Sequence, residues 1–228
     1  MRVYGKNVAK EILQKPNTIK KAYIYENFND NEILDQLRKL SIPCKFLDKK
    51  SLDDIEEGNH QGIILEIDDY KYTFIDELLD RDIVVILDHL EDPHNFGAII
   101  RTCEAAGINS IIIPKDRSIK VNATVMKTSA GTLEKVDICM VSNIVNAMKT
   151  LKDNGFWIIG TDMEGTDFRK IDYKGKIAIV IGNEGKGMSR LTEENCDFIA
   201  KIPMYGTVNS LNASVAAALV IYEAVMNR

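Results

Sequence analysis

The most constraining feature of the chain is an uninterrupted apolar run, Ile83 to Leu87, made almost entirely of β-branched residues. A strand with one face in water alternates apolar and polar residues, so an unbroken run predicts a strand covered on both faces. Further apolar runs follow, with helix-like spacing between them. The predicted strands are 110–113, 136–141, 156–160, 176–181 and 198–204, and the predicted helices are 95–106, 123–129, 144–154, 191–196 and 213–228. This alternation indicates an α/β fold with a mostly parallel sheet and helices on both faces.

The first 70 residues carry a smaller α/β pattern. Its predicted strands are 22–25, 44–47 and 62–67, and its predicted helices are 5–13, 31–40 and a short one with Ser51 as N-cap. His60, just before the third strand, is interpreted as a turn residue. A polar stretch, 68–72, then breaks the pattern. We therefore expect an N-terminal domain at 1–70, a linker at 71–82 and a larger domain at 83–228.

The charge balance limits how the chain can bind nucleic acid. Its formal net charge is -5, which argues against binding through bulk electrostatics, because that mode usually needs a basic face. One local stretch, 115–135, is richer in basic residues. It contains Lys115, Arg117, Lys120, Lys127 and Lys135 against Asp116 and Glu134. From the sequence, this cluster is either an ordinary solvated surface or a local basic binding surface.

Cysteine spacing and hydropathy predict the compartment. The four cysteines are far apart, no CxxC pair occurs, and the chain has only three histidines, so no structural metal site is expected. Reduced thiols are typical of cytosolic proteins. No apolar run reaches the roughly 20 residues of a membrane helix, and the first residues lack the apolar core of a secretory signal. We expect a cytoplasmic protein without a membrane or metal partner.

Three polar clusters follow predicted strands, where parallel sheets bind their ligands. In the first, 88–104, Asn95 is predicted to be a helix N-cap, and His89 and His94 are interpreted as solvated loop residues. Arg101 has two interpretations. It pairs within the helix with Glu104, or it delivers its guanidinium to a phosphate or a reacting oxygen.

The second cluster, 182–188, has three glycines in six residues, which let the backbone approach a ligand closely. Its spacing is not that of a Walker A loop. The third cluster places Ser210, Asn212 and other polar residues at the start of an Ala-rich final helix. Either residue is a candidate helix cap, a candidate ligand contact, or both.

Together and in this order, the clusters resemble the three motifs of the SpoU (TrmH/RlmB-like) branch of the SPOUT RNA methyltransferases. The matching residues are Asn95, Gly97 and Arg101, then Gly182, Glu184, Gly185 and Gly187, then Ile202-Pro203-Met204, Gly206, Ser210-Leu211-Asn212 and Ser214. The likeness spans about 83–228. It extends to the first domain, where 3–8 and 60–63 are similar to parts of the family's RNA substrate-binding domain.

The resemblance implies a C-terminal trefoil knot, a homodimer and S-adenosyl-L-methionine as cofactor. It implies methylation of a ribose 2′-hydroxyl, and the layout is nearest to enzymes that modify a guanosine of 23S rRNA. The implied catalytic residues are Arg101, Asn95, Glu184, Ser210 and Asn212. The implied cofactor-binding residues are Thr161, Gly182, Glu184, Gly185, Ile202, Met204 and Leu211, and the implied RNA-binding residues are Arg101, Lys127 and Ser129.

Some alternatives stay open at this point. The family proposal makes Arg101 the base, whereas a permanently charged guanidinium suits electrostatic stabilisation or phosphate positioning equally well. The substrate is rRNA or tRNA. A catalytically silent RNA-binding or ribosome-assembly factor is a further hypothesis, which the intact motif residues disfavour. A doubly wound nucleotide-binding module is disfavoured by the late position of the glycine-rich loop.

Overall fold

The computed structural model describes residues 1–14 and 18–228, which group into two compact units. Unit 1 comprises Met1–Lys71 with Val121–Ala123, and unit 2 comprises Tyr72–Lys120 with Thr124–Arg228. Within the described ranges, no helix is both long and apolar enough to cross a membrane.

Unit 1 is built on a four-stranded mixed sheet in the order β1-β4-β2-β3. Strand β4 is antiparallel to β1 and β2, and β2 is parallel to β3. Helix α2 buries Ile33 and Leu37, four residues apart on one face. The strands are β1 Arg2–Tyr4, β2 Ile19–Tyr25, β3 Cys44–Leu47 and β4 Ile63–Ile67, and the helices are α1 Lys6–Ile12, α2 Asn31–Lys39 and α3 Lys49–Asp53.

Of two predictions for unit 1, the helix cap was wrong, and the turn position of His60 was confirmed, since its carbonyl accepts the Ile63 N–H at 3.0 Å. Helix α3 begins earlier than expected, because the Asp48 side chain is the N-cap and accepts the Ser51 N–H at 2.8 Å. Ser51 therefore lies inside the helix. His60 is buried, and its ring lies between two partners, the Asp53 carboxylate at 2.8 Å and the Gly62 N–H at 3.0 Å. It fastens the turn before β4 to the end of α3.

Unit 2 contains a seven-stranded sheet in the order β7-β6-β5-β10-β8-β11-β9, and every neighbouring pair is parallel. The strands are β5 Ile83–Leu87, β6 Ser110–Pro114, β7 Asp137–Val141, β8 Phe156–Asp162, β9 Thr166–Asp167, β10 Lys176–Ile181 and β11 Phe198–Lys201. The helices from residue 93 onward are α4 Pro93–Ala105, α5 Ala123–Thr128, α6 Ile144–Asp153, α7 Arg190–Glu194 and α8 Ala213–Met226. The predicted α/β class and parallel sheet are confirmed.

Helices cover both faces of this sheet. Val84, Ile86 and Val180 point toward α6 and join a core with Met148 and Leu151. Successive side chains of a strand point to opposite faces, so the alternate residues of β5 and β10 face the other side, where α8 packs against β10 and α4. All five residues of β5 are buried, as the unbroken apolar run predicted.

The order of strands places β10 between β5 and β8, although the chain forms both of those first. The carboxyl ends of these three strands are therefore neighbours, and the segments that leave them meet at one edge. Two bounds differ from expectation: the last strand ends at Lys201 rather than 204, and β9 was not predicted. Threading of the C-terminal segment into a knot stays a prediction of the resemblance.

Candidate active site

A chain of three side chains joins the polar clusters at the carboxyl edge of unit 2. Asn95 donates from Nδ2 to Glu184 Oε1 at 2.8 Å and accepts at Oδ1 from Asn212 Nδ2 at 2.8 Å. Its side chain is central and shielded, since Asn95 is only 6% exposed. Residues from the first, second and third motifs thus contact one another, although they are far apart in the sequence.

Asn95 is available for this role because it does not cap its helix. The N-cap of α4 is Asp92, whose carboxylate accepts the His94 N–H at 2.9 Å, and Pro93 occupies the first turn. The prediction that Asn95 is the N-cap was therefore wrong. A proline favours the first helical position, so Asp92-Pro93 was the sequence signal for the true start.

Asn212 performs both of the roles that the sequence left open. Its Oδ1 accepts the backbone N–H groups of Ser214 at 2.9 Å and Val215 at 3.4 Å, which makes it the N-cap of α8. Its Nδ2 donates to Asn95. Ser210 is exposed and has no hydrogen-bond partner among the described residues. The cap is therefore Asn212, and the Ser210 hydroxyl is available to a ligand.

The glycine-rich loop after β10 is held by its own backbone. Asn183 and Gly187 exchange two backbone hydrogen bonds of 3.0 and 2.9 Å, and Asn183 Oδ1 accepts the N–H groups of Gly185 and Lys186. A Cβ on Gly182 would lie 2.5 Å from the carbonyl carbon of Gly187, so only glycine fits there. The loop is rigid enough to aim Glu184 at Asn95.

The predicted cofactor residues come together at neighbouring strand ends. Thr161 lies near the end of β8 and donates from Oγ1 to the Val180 carbonyl at 2.9 Å. Gly182 directly follows β10, and half-buried Ile202 and Met204 follow β11. Because β10, β8 and β11 are adjacent in the sheet, these residues share one edge.

Arg101 lies outside the Asn95 network. It is exposed on α4, six residues beyond Asn95, which places it about 9 Å farther along the helix and about 120° around it. Glu104 pairs instead with Lys135 at 2.8 Å, and Arg101 has no ion pair among the described residues. The predicted Arg101–Glu104 pair is therefore wrong, and the guanidinium is free.

The two other predicted RNA contacts differ from each other. Lys127 is exposed on α5, whereas Ser129 is fully buried and donates its hydroxyl to the Met126 carbonyl at 3.0 Å. The Ser129 side chain thus closes a turn rather than facing a ligand. The same helix, α5, packs tightly against α4 at Gly97. A Cβ on Gly97 would lie 1.8 Å from Thr128 Oγ1, so the contact requires glycine.

The sequence missed a carboxylate–histidine pair at the end of β5. Asp88, 1% exposed, lies 2.6 Å through Oδ1 from Nδ1 of His89, and its Oδ2 accepts the Ser189 N–H at 2.6 Å. His89 lies in a loop and is partly exposed, as expected, but its bond to a buried carboxylate was not expected. His94 is exposed, as expected, but it lies on α4. The signal for the pair was an acidic residue directly after a buried strand.

Burial makes two thiols of unit 2 unreactive. All four cysteines are free, and burial raises the pKa of Cys103 and of Cys196 to about 12. Such thiols stay protonated near neutral pH and are poor nucleophiles. In the part of the chain that the structure describes, no three His, Cys, Asp or Glu side chains group as a metal site.

A parallel sheet, a rigid glycine-rich loop and converging polar side chains at one edge define an α/β enzyme domain of the kind that binds a small cofactor beyond its strand ends. The particular family follows from comparison. Residues 82–222 match the sequence model of the SpoU rRNA methylase family, and residues 2–73 match the model for RNA 2′-O ribose methyltransferase substrate binding. The chain belongs to the SpoU family of RNA methyltransferases, which confirms the resemblance.

Relatives cover nearly the whole chain. A Staphylococcus saprophyticus protein named in the TrmH family of tRNA/rRNA methyltransferases is 42% identical, covering 99% of this chain and 95% of the relative. A Bacillus subtilis protein named in the same family is 39% identical with the same coverage.

Solved structures share the fold. The SpoU methyltransferase AviRb from Streptomyces viridochromogenes, in complex with its cofactor AdoMet, has a TM-score of 0.78 at 22% identity, covering 99% of this chain and 89% of that chain. The Aquifex aeolicus structure described as a TrmH/SpoU tRNA modifying enzyme is 35% identical with a TM-score of 0.59, covering 68% of this chain and 80% of that one.

Proposed function

We propose that the protein transfers a methyl group from S-adenosyl-L-methionine to a ribose 2′-hydroxyl, and that the substrate is a guanosine of 23S rRNA. The observation that carries the proposal is the Asn95–Glu184–Asn212 chain, which joins all three family motifs by hydrogen bonds of 2.8 Å. Family membership supports RNA methylation, and the match of residues 2–73 to a 2′-O ribose methyltransferase substrate-binding model supports the ribose as acceptor.

The residues at the edge of unit 2 fit the cofactor. Gly182 packs directly against the backbone of Gly187, and the absence of a side chain there and at Gly185 would let the loop backbone approach an adenosine or a methionine moiety closely. Backbone groups near Thr161, Gly182, Ile202, Met204 and Leu211 would hold the two ends of the cofactor, and Gly185 would let the loop approach it. When bound, S-adenosyl-L-methionine supplies an electrophilic methyl group.

The acceptor hydroxyl needs help, because a ribose 2′-oxygen is a weak nucleophile at neutral pH. The Arg101 guanidinium is a permanent cation without an ion pair among the described residues, so it stabilises the developing alkoxide or anchors the adjacent phosphate. Asn95 and Glu184 hold each other in a fixed orientation at the site. The Ser210 hydroxyl, which has no partner within the described ranges, is offered to the nucleotide, and Asn212 fixes the start of α8 two residues later.

A local basic surface accounts for RNA binding by an acidic chain. Lys115, Arg117 and Lys120 are exposed in the loop that leaves the carboxyl end of β6. Within the described ranges, none of them has an ion pair, nor does Lys127 on α5. Free cations at the edge that carries the candidate site favour a phosphate-binding role over that of an ordinary solvated surface.

A second copy of the chain is the proposed partner of α8. The helix exposes Val215, Leu219, Tyr222 and Met226 at helical spacing, and Met226 is 73% exposed. This stripe continues onto Ala98 and Thr102 of α4, which line the same groove. Arg101 lies three residues from Ala98, so a partner seated on this groove would lie close to the guanidinium. In light scattering, Leu219→Arg should convert a dimer to a monomer, and an unchanged mass would contradict the proposed interface.

Mapping ribose methylation by mass spectrometry, in RNA from cells with and without the protein, tests the proposed function. Loss of one 2′-O-methylguanosine from 23S rRNA would support it. Loss from a tRNA would favour the alternative substrate, which the 35% identity to the Aquifex aeolicus tRNA modifying enzyme makes a specific candidate. Unchanged ribose methylation, together with no cofactor binding in calorimetry, would instead favour a catalytically silent RNA-binding or assembly factor.

A further inference from the structure

The Asp88–His89 pair differs from an isolated surface histidine, because a buried carboxylate holds the ring. The Asp88 carboxylate is buried and holds the ring through Nδ1 at 2.6 Å, while the His89 side chain is 32% exposed. Oδ2 of the same carboxylate accepts the Ser189 N–H at 2.6 Å. The histidine is therefore oriented from beneath by a buried acid, and part of its ring reaches solvent.

The backbone contributes to this orientation. His89 has a φ of 59°, in the left-handed region that residues other than glycine enter at a cost. Its carbonyl accepts Asn183 Nδ2 at 2.9 Å, so the glycine-rich loop holds the unusual conformation in place. A strained conformation persists where surrounding contacts over-determine it, and such positions cluster at ligand sites.

The position of the pair links two loops. Asn183 ties His89 to the glycine-rich loop. The next residue, Leu90, accepts the Ser118 hydroxyl at 3.1 Å and the Ile119 N–H at 2.7 Å through its carbonyl, which ties the segment to the basic loop. His89 therefore lies between the proposed cofactor loop and the loop that carries Lys115, Arg117 and Lys120.

The hydrogen bonds assign the ring nitrogens. A carboxylate that accepts a backbone N–H at one oxygen and lies against Nδ1 at the other makes Nδ1 the protonated nitrogen. Nε2 is left as the functional atom. It accepts a hydrogen bond when the ring is neutral and donates one when the ring is charged.

We propose that Asp88 and His89 form an additional RNA contact, in which Nε2 of the charged ring donates to a phosphate oxygen of the substrate. The proposal rests on the proposed function only in taking RNA as the ligand. Cys196 lies near the Asp88 carboxylate. The glycine-rich loop that Asn183 ties to His89 also carries Glu184 and Lys186, and the loop that Ser118 and Ile119 tie to Leu90 carries the three cations. The cations attract phosphates, and the Asp88 carboxylate fixes the orientation of the ring.

His89→Asn is the sharpest variant. The asparagine amide donates where Nδ1 does, so it keeps the bond to Asp88, and asparagine tolerates a left-handed backbone. It lacks Nε2 and does not titrate. His94→Asn is the matched control, because that histidine is exposed and its ring has no partner among the described residues.

The probe is radiolabelled 23S rRNA from cells that lack the protein, and filter binding is measured between pH 5.5 and 8. Wild type and His94→Asn should bind more weakly as the pH rises, by on the order of tenfold, as expected for one hydrogen bond to a charged group. His89→Asn should show little of this dependence, and its thermal unfolding should match wild type. Equal pH dependence in wild type and His89→Asn would overturn the proposal, as would loss of the dependence in His94→Asn alone, or no binding by wild type.

Methyl transfer, measured in parallel with tritiated S-adenosyl-L-methionine, separates the two proposals. If His89→Asn abolishes the pH dependence of RNA binding while wild type transfers no methyl group, the result would support the histidine–phosphate bond and reject the proposed function. Methyl transfer by wild type, with identical RNA-binding profiles in both proteins, would reject that bond and leave the proposed function intact.

Discussion

Two groups of polar side chains in unit 2 differ in whether they have partners within the protein. Asn95, Glu184 and Asn212 bond to one another. Arg101 and the cations of the basic loop have no ion pairs among the described residues. Asn95 is buried and needs partners to be stable, whereas exposed cations do not. The paired group therefore shapes the site, and the unpaired group is left for an anionic substrate.

The largest expected effect belongs to the unpaired group. Arg101→Ala should lower single-turnover methyl transfer by about 100-fold to 1,000-fold, the range for removing one donor that stabilises a developing anion. Stability and cofactor affinity should stay at wild-type values, because the side chain is exposed and has no ion pair in the described part of the chain. Tritium transfer and calorimetry measure the two. Full activity in this variant would remove Arg101 from the mechanism, and Arg101→Lys tests whether charge alone suffices.

Asn95→Ala removes the side chain that bonds to both Glu184 and Asn212. It leaves Glu184 Oε1 and Asn212 Nδ2 without their partner, so the free energy of unfolding should fall by about 1–3 kcal/mol. Cofactor affinity should fall with it, since both flanking loops lose a tether. Urea denaturation and calorimetry check the change. Asn95→Asp keeps the acceptor for Asn212 and loses the donor to Glu184, so stability equal to wild type there would contradict the importance of the Glu184 bond.

Gly182→Ala tests the rigidity of the loop that aims Glu184. The added Cβ would lie 2.5 Å from the backbone of Gly187, which cannot yield as a flexible side chain does. We expect a loss of about 1–3 kcal/mol in stability, as for other overpacked sites. Gly185→Ala is the matched control, since its Cβ would meet only Asn183 Oδ1 at 3.7 Å. Equal melting temperatures for the two variants would show that the loop is soft.

The smallest effect is expected from single cations of the basic loop. Arg117→Ala should weaken RNA binding a few-fold at low salt and reduce the slope of log K against log salt by about 0.9, the value for one phosphate contact. Lys149→Ala, an exposed lysine on α6 without an ion pair in the described ranges, is the control. If both variants lower the slope equally, the loop has no special role.

The fold followed from the sequence where the pattern was long and periodic. Continuous β-branched runs predicted β5 and β10, and the helical stripe of residues 213–228 predicted α8. The predicted starts of α3 and α4 were wrong, because another residue nearby in the sequence is the N-cap. Asp48 is the N-cap where Ser51 was expected, and Asp92 is the N-cap where Asn95 was expected. Capping depends on local backbone geometry, which residue type alone does not specify.

The site was predicted as a set of residues but not as a set of bonds. Motif resemblance named Asn95, Glu184 and Asn212, yet nothing in their spacing indicated that Asn95 would bridge the other two. The structure does not contain the Arg101–Glu104 ion pair. Glu104 pairs instead with Lys135, whose proximity the local sequence does not indicate. The Asp88–His89 pair was missed because adjacent residues of a strand end usually diverge, and a φ of 59° is what brings them together.

The insertion of β10 between β5 and β8 has a consequence for synthesis. A nascent chain that has emerged only as far as residue 170 already contains both flanking strands, but not the one that joins them. Until Lys176–Ile181 arrives, each of those strands presents an unpaired edge, and open edges recruit other strands. Chains truncated before residue 176 should therefore aggregate during translation, whereas chains that end just after 181 should gain a continuous sheet from β7 to β8 and aggregate less.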